Sequence, residues 1–239
     1  MTDYTSRYQR DEVWHLLQAR RRLGEDLLGH LDLAELSLGA FEAHGTTFRD
    51  TCFVKASLPE SRWLECTFLG AELRQAKLRG ALMEGCRFDQ ARLMELDLCD
   101  GTLADSTLRG AYLSRMGFEG GSAAGCVFDG CDFTAANFRD SRLIHCQFTA
   151  PRQLGGANLA RLDLRGALLI DCNLKEANLR EAKLSGATFV SCDLRGVNAV
   201  EAELGDASLI ACNAEGINLV DAKREGLRHA ATRFFHAKT

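Results

Sequence analysis

The cysteines are the side chains of this sequence whose type and spacing could do chemistry. Seven of the ten recur at every twentieth position, in the sets Cys66 and Cys86, Cys126 and Cys146, and Cys172, Cys192 and Cys212. Stacked thiols would lie near the Cα separation that a disulfide allows, but their Cβ vectors run parallel and form no tetrahedral cage. Ala, Ser and Thr occupy equivalent positions elsewhere. We therefore interpret these cysteines as small core residues, reduced and metal-free.

The six histidines offer no catalytic pattern. None stands with a carboxylate or a cysteine at a spacing that indicates a nucleophile and its base. The sequence has no P-loop, no H-E-x-x-H and no strand-borne G-x-G-x-x-G. We expect no enzymatic activity and no cofactor.

Carboxylates are the remaining candidates, as contacts to a partner. Residues 30–222 hold 27 acids and 19 bases, whereas residues 223–239 hold one acid and five bases. Ordinary solubility explains such a balance as well as binding does. Phosphate would be repelled by this surface, so we expect no direct binding of nucleic acid. The candidate partner-binding residues are two acidic clusters: Glu95, Asp97, Asp100, Asp105, and Glu201, Glu203, Asp206.

A five-residue repeat positions all of these side chains. Counting in fives from Leu33 to Phe148 gives 24 positions, of which 22 are Leu, Phe, Met or Trp. The phase then slips by one, and 12 of the 14 positions from Leu154 to Leu219 are Leu or Phe. A small residue stands two places before most of them. A period of five fits neither a helix nor a strand, so it predicts a chain that turns a corner every five residues.

The repeats resemble those of a known family. Segments such as CTFLGAELRQAKLRGALMEGCRFDQ and CNLKEANLREAKLSGATFVSCDLRG are similar to pentapeptide repeat proteins, and the similarity runs from about Leu31 to Ala222. The resemblance implies an all-β solenoid, a right-handed quadrilateral β-helix with one pentapeptide on each side. The regular spacing of Phe48, Phe68 and Phe88 independently favours four sides, because four repeats in each coil would stack equal residues on successive coils.

The predicted organisation has three parts. Residues 1–30 form a helical cap, residues 31–222 form the β-helix with an interruption at 149–156, and residues 223–239 form a short helical tail. The N-terminal helix is predicted from the spacing of Val13, Leu16, Leu17, Leu23 and Leu27. It either caps the first coil or serves as a separate docking helix.

The interruption and the tail carry further candidate residues. The segment with Pro151, Arg152 and Gln153 is either a loop of about six residues or a one-residue bulge. A loop suits recognition and keeps the later cysteines on the face of the earlier ones. In the tail, resemblance to Qnr-like members implies a homodimer contact through Leu227, Phe234 and Phe235.

The first residues are charged where a signal peptide would be apolar, and no run approaches the length of a membrane span. We therefore expect a soluble cytoplasmic protein without membrane contact. The prediction for function is a noncatalytic protein-binding scaffold. Resemblance to Qnr-like members implies DNA mimicry towards a type II topoisomerase, gyrase or topoisomerase IV. The alternative is an adaptor or structural protein associated with type VI secretion, or an effector.

Overall fold

The protein was analysed as a computed structural model, which describes residues 28–149 and 158–238 together with Glu12 and His15. The described chain is an all-β solenoid of about nine turns. Parallel bridges join each side to the equivalent side of the next turn, for example Ser37 to Ser57 and Thr47 to Thr67. Each turn, or coil, therefore holds four five-residue sides, which agrees with the four-sidedness expected from the spacing. Equivalent residues of successive coils form a column along the rod. The right-handed sense of the coil stays a prediction.

Within the described residues, thirteen short strands form two parallel sheets, each on one side of the solenoid. Ten of them, in the order β1-β2-β3-β4-β6-β8-β10-β11-β12-β13, form a parallel sheet along one side, and β5-β7-β9 form a second sheet on the following side. The strands are β1 Glu42–His44, β2 Arg62–Leu64, β3 Leu82–Glu84, β4 Thr102–Ala104, β5 Thr107–Arg109, β6 Ser122–Ala124, β7 Val127–Asp129, β8 Arg142–Ile144, β9 Gln147–Thr149, β10 Leu168–Ile170, β11 Thr188–Val190, β12 Ser208–Ile210 and β13 Arg228–Ala230.

The large residues that recur at every fifth position, which we call register residues, build the core. Every register residue from 33 to 148 and from 159 to 219 is buried, as predicted. Phe68 stacks on Phe88 with ring centroids 4.7 Å apart and planes within 1°, and Phe48 stacks on Phe68 at 5.1 Å. Offset stacking of rings adds to the free energy gained by burying them. The predicted Phe column is therefore confirmed.

The corners between sides have left-handed backbone. The residue two places after nearly every register residue has a positive φ, and 26 of these corner residues are not glycine. Glycine adopts this conformation without strain, whereas other residues bear a cost that the surrounding pairing must offset. At one corner, a Cβ added to Gly120 would lie 2.7 Å from Oδ1 of Asp100 on the preceding coil. Carboxylate and glycine thus fit together in that column.

Pairing across the interruption distinguishes the two alternatives left open by the sequence. Arg142 pairs with Leu168 and Gln147 bridges to Asn173, so the partners here are further apart in sequence than in the other coils. The difference is six additional residues, whereas a one-residue bulge would have added one. Consequently Cys146 and Cys172 fall in the same column. Pro151, Arg152 and Gln153 lie outside the described residues.

The helical tail was predicted wrongly. Strand β13 pairs with β12, and further bridges join Asn213 to Arg233 and Asn218 to Lys238, so residues 223–238 continue the solenoid. The preceding coil offers a free row of backbone N–H and C=O groups, and pairing with that edge satisfies the backbone of the tail. The predicted N-terminal helix lies outside the described residues, except for Glu12 and His15, which have helical backbone and are exposed.

Candidate binding surfaces

The cysteine column is part of the core. Cys66, Cys86, Cys126, Cys146, Cys172, Cys192 and Cys212 are all buried free thiols. Their Sγ atoms donate to backbone carbonyls, as from Cys86 to Trp63 O at 3.2 Å. At Cys131, on another side, burial raises the pKa of the thiol to about 12. The thiol of Cys131 therefore stays protonated at neutral pH, which suits packing better than nucleophilic chemistry.

Neither metal-binding geometry nor a membrane-spanning helix is present in the described ranges. Within residues 28–149 and 158–238, with Glu12 and His15, no group of three or more His, Cys, Asp or Glu is arranged to hold a metal ion. No helix in that part of the chain is long and apolar enough to cross a bilayer. The described histidines with carboxylate contacts lie at the surface, such as His145, 3.5 Å from Asp171.

A small cavity near the C-terminal end is a packing feature. Its volume is about 20 Å³, and its lining is apolar, including Leu194, Ala199 and Leu219. Ala199 stands at a register position that holds Leu or Phe in most coils. The space admits about one water molecule and offers it no polar partner.

Six of the seven predicted acidic residues, all except Asp105, lie on one side of the rod. Bridges connect Asp97 through Gly117, Asn137, Asp163 and Lys183 to Glu203, so Asp97 and Glu203 belong to one column. They stand five coils apart, about 24 Å at about 4.8 Å for each coil. Glu95 and Glu201 share one flanking corner of this side, and Asp100 and Asp206 share the other. We call this side, from residue 95 to residue 206, the acidic face.

The acidic face carries twice as many carboxylates as cations. The carboxylates are Glu95, Asp97, Asp100, Glu119, Asp140, Asp163, Glu181, Glu201, Glu203 and Asp206, and the cations are Arg115, Arg139, Arg161, Arg165 and Lys183. Duplex DNA carries about one negative charge for each 1.7 Å, or roughly 14 over the same 24 Å. The net charge of −5 is therefore about a third of that of DNA.

Four of the seven predicted acidic residues are neutralised by cations of the same chain. The pairs are Glu95 with Arg115 at 3.3 Å, Asp100 with Arg79 at 2.6 Å, Glu201 with Arg180 at 2.5 Å and Glu203 with Lys223 at 3.0 Å. A hydrogen bond from Gln75, followed by one from Arg115, lowers the pKa of Glu95. Asp97, Asp105 and Asp206 have no ion pair with another described residue.

Asp105 does not belong to the acidic face. It occupies the corner after β4, one full side beyond Asp100. The intervening side carries the ten-stranded sheet, and its outer surface is nearly free of charge from β4 to β12. We call this outer surface the aliphatic face; its members are Thr102, Ala104, Ser122, Ala124, Arg142, Ile144, Leu168, Ile170, Thr188, Val190, Ser208 and Ile210.

The sequence prediction missed the aliphatic face, although a pattern for it exists. Ile144, Ile170, Val190 and Ile210 each follow a register residue by one and pair directly with one another across β8, β10, β11 and β12. These positions point outward, and Ile210 is 41% exposed. Ile144 and Ile170 are 26 residues apart, whereas the other neighbours in this row are 20 apart, so a search for a period of 20 does not find Ile144.

The predicted dimer residues divide between two environments. Leu227 and Phe234 are partly buried against the core of the last coil, whereas Phe235 is 66% exposed. The inward positions of this coil before Phe234 hold Arg224 and His229, both exposed. A dimer contact through the tail stays a prediction.

The geometry defines the class of protein: a β-solenoid with a five-residue repeat, a packed apolar interior and variable outer columns. The chain belongs to the pentapeptide repeat family. The family model, "Pentapeptide repeats", matches residues 48–85, 71–115, 118–149, 157–196 and 187–223, which is more than half of the chain.

Two solved structures illustrate the similarity. The pentapeptide repeat protein HetL, involved in heterocyst differentiation regulation in the cyanobacterium Nostoc sp. strain PCC 7120, is 21% identical, with 97% of this chain and 94% of that chain covered and a TM-score of 0.47. A trypsin-treated variant of QnrB1, a plasmid-mediated fluoroquinolone resistance protein, is 22% identical, with 81% and 92% covered and a TM-score of 0.46. No curated protein matches the chain.

Proposed function

We propose that this protein is a noncatalytic binding rod whose acidic face engages a basic groove on a protein partner. The supporting observation is that six of the seven predicted acidic residues, from two clusters far apart in the sequence, share one side of the rod. Aligned carboxylates complement a row of Lys and Arg side chains, and such complementarity mainly raises the rate of association. The proposal includes a cytoplasmic location and no direct contact with nucleic acid.

A type II topoisomerase is the first candidate partner. Qnr-like members of the family, which the repeats resemble, occupy the DNA-binding saddle of these enzymes as DNA mimics. A groove that holds DNA presents cations along a duplex, and the acidic face offers carboxylates along about 24 Å of a straight rod. Because its net charge is about a third of that of the same length of DNA, we expect binding that is weaker and less salt-dependent than that of DNA.

The proposed function is tested by a supercoiling assay of gyrase, titrated with the purified protein with and without a fluoroquinolone. We expect inhibition, or protection from the drug, at micromolar protein. The variant Asp97→Lys/Glu203→Lys reverses two of the three carboxylates in the middle column of the acidic face and should weaken the effect about tenfold or more, mainly through slower association. Raising salt from 0.1 M should reduce the effect of the wild type, because exposed charges are then screened more strongly.

The matched control is Glu84→Lys/Glu215→Lys, which makes the same change in net charge at two exposed carboxylates on other sides. It should retain the effect of the wild type. Equal loss in both variants would mean that only net charge matters. The absence of any effect of the wild-type protein on gyrase and topoisomerase IV would contradict topoisomerase modulation and favour the adaptor function.

A further inference from the structure

The aliphatic face is built for contact with another surface. Its register residues point inward and fill the core, whereas Ile144, Ile170, Val190 and Ile210 point outward. They form an unbroken row over four paired strands. Between β4 and β12, Arg142 is the only charged residue among the outward positions of this side. Ile210 is exposed and the other three are half-buried, and a contiguous, partly exposed apolar row indicates an interaction site.

We propose that a second copy of this chain covers the aliphatic face, in an antiparallel dimer with a two-fold axis between β10 and β11. Such an axis, parallel to the strands, reverses the rod and keeps each outward column opposite itself. Ile170 then packs on Val190 of the other copy, and Ile144 packs on Ile210. Leu168 meets Thr188. The row of aliphatic side chains is thus buried against itself.

Charge complementarity selects this register. Arg142 of one copy lies opposite Ser208 of the other, next to the exposed corner residue Asp206. Neither Arg142 nor Asp206 has an ion pair with another described residue of its own chain. The same axis places Asp206 opposite Asp140, the carboxylate at the corner beside Arg142, and Arg139, 3.2 Å from Asp140, offsets this like charge. The two-fold axis forms the Arg142–Asp206 pair twice. Sliding one copy by one coil would place Arg142 opposite the uncharged Gly186 and Thr188 instead.

The buried area predicts a weak dimer. Six coils, from β6 to β13, overlap in this arrangement, which gives a length of about 29 Å. At each end of the overlap Arg228 of β13 lies opposite the uncharged Ser122 of β6. A side of five extended residues is about 16 Å wide. Each copy therefore buries roughly 460 Å², or about 900 Å² in total, below the roughly 1,200 Å² at which stable specific interfaces begin. We expect a dissociation constant of about 10 to 100 µM.

Sedimentation velocity of the full chain, from about 1 to about 200 µM, tests the dimer. We expect the wild type to dimerise as concentration rises. Arg142→Asp and Asp206→Arg should each weaken the dimer about tenfold or more, and the double variant Arg142→Asp/Asp206→Arg should restore it, since the pair is re-formed with reversed polarity. Ile170→Lys should abolish it.

Two controls separate this surface from other causes. Arg109→Asp makes the same charge change as Arg142→Asp at an exposed position on the neighbouring side and should leave the dimer intact. Circular dichroism and thermal unfolding show whether each variant is folded. A wild type that stays monomeric at about 200 µM overturns the proposal. Loss of the dimer in Phe235→Ser with no effect of Ile170→Lys also overturns it, and places the contact at the tail.

Discussion

The acidic face and the aliphatic face are neighbouring sides of one rod with the same backbone and opposite surfaces. Both are columns of parallel pairs that repeat once in each coil, and both turn Leu and Phe inward. They share the corner column of Asp100, Asp140 and Asp206. Yet at the twelve outward positions beside its register residues the acidic face presents four carboxylates and three cations, whereas the aliphatic face presents one cation at its equivalent twelve positions. The repeat therefore determines which residues point inward, whereas the outward residues of each side can vary in charge and polarity.

The largest expected effect is on the free energy of unfolding, because it comes from a substitution in the core on which both faces rest. Phe88→Ala leaves a void in the stack formed with Phe68, where the rings are 4.7 Å apart. Packed layers above and below cannot collapse into the void easily, so we expect the free energy of unfolding to fall by about 3 to 5 kcal/mol. Chemical denaturation measures this change. Arg87→Ala, at the exposed neighbouring position, should change it by about 0.5 kcal/mol or less, and an equal loss in both variants would contradict the inward assignment of the register.

A smaller effect probes the corner that separates the two faces. Gly120→Ala adds a Cβ at φ +68°, 2.7 Å from Oδ1 of Asp100. Gly186→Ala has the same backbone conformation, φ +70°, with the nearest atom 4.0 Å away. We expect about 1 kcal/mol of destabilisation for Gly186→Ala from the left-handed backbone alone. Gly120→Ala should cost about 1 kcal/mol more, because the carboxylate must move.

Thermal or chemical unfolding of the two glycine variants gives this difference directly. The variant Asp100→Gly/Gly120→Ala removes the carboxylate and should bring the cost of Gly120→Ala close to that of Gly186→Ala. If the two single variants are equally destabilised, the carboxylate does not restrict the corner column.

The smallest effect uses Cys99 to report the electrostatic field of the acidic face. Burial, followed by a hydrogen bond with Asp97, raises the pKa of its thiol to about 11. At pH 9 roughly 1% of such a thiol is the reactive thiolate. Asp97→Asn removes the charge and should lower the pKa of Cys99, so that alkylation at pH 9 becomes several times faster. Mass spectrometry of iodoacetamide-treated protein measures the rate. Asp105→Asn, one side away, should leave it unchanged.

The sequence predicted the core correctly and the tail wrongly, because the five-residue repeat is present in the core and is lost in the tail. Large residues such as Phe68 and Phe88 recur at register positions because each must point inward, so the period predicted the core. The tail was misjudged because Arg224 and His229 replace the apolar register residues there. Its pairing depends on the exposed edge of the coil before it, which no pattern within the tail records.

The surfaces were harder to predict for a geometrical reason. Glu95 and Glu201 are separated in sequence by five full coils and by the additional residues of the interruption, so they share a corner only when those additional residues leave the register unchanged. Asp105 is close to Asp100 in sequence and one side away in space. The alignment of Ile144 with Ile170 depends on the same additional residues. Sequence proximity and spatial proximity therefore diverge at the surface.

The lengthened step between β8 and β10 has a practical consequence for protein engineering. Residues after this step pair in the same columns as residues before it. The downstream coils are therefore not rotated about the rod axis relative to the upstream coils. Residues added between Thr149 and Asn158 change the length of the connection and not the rotation of one half against the other. An epitope, a fluorophore-binding peptide or a small domain inserted at this point should leave both faces continuous along the whole rod.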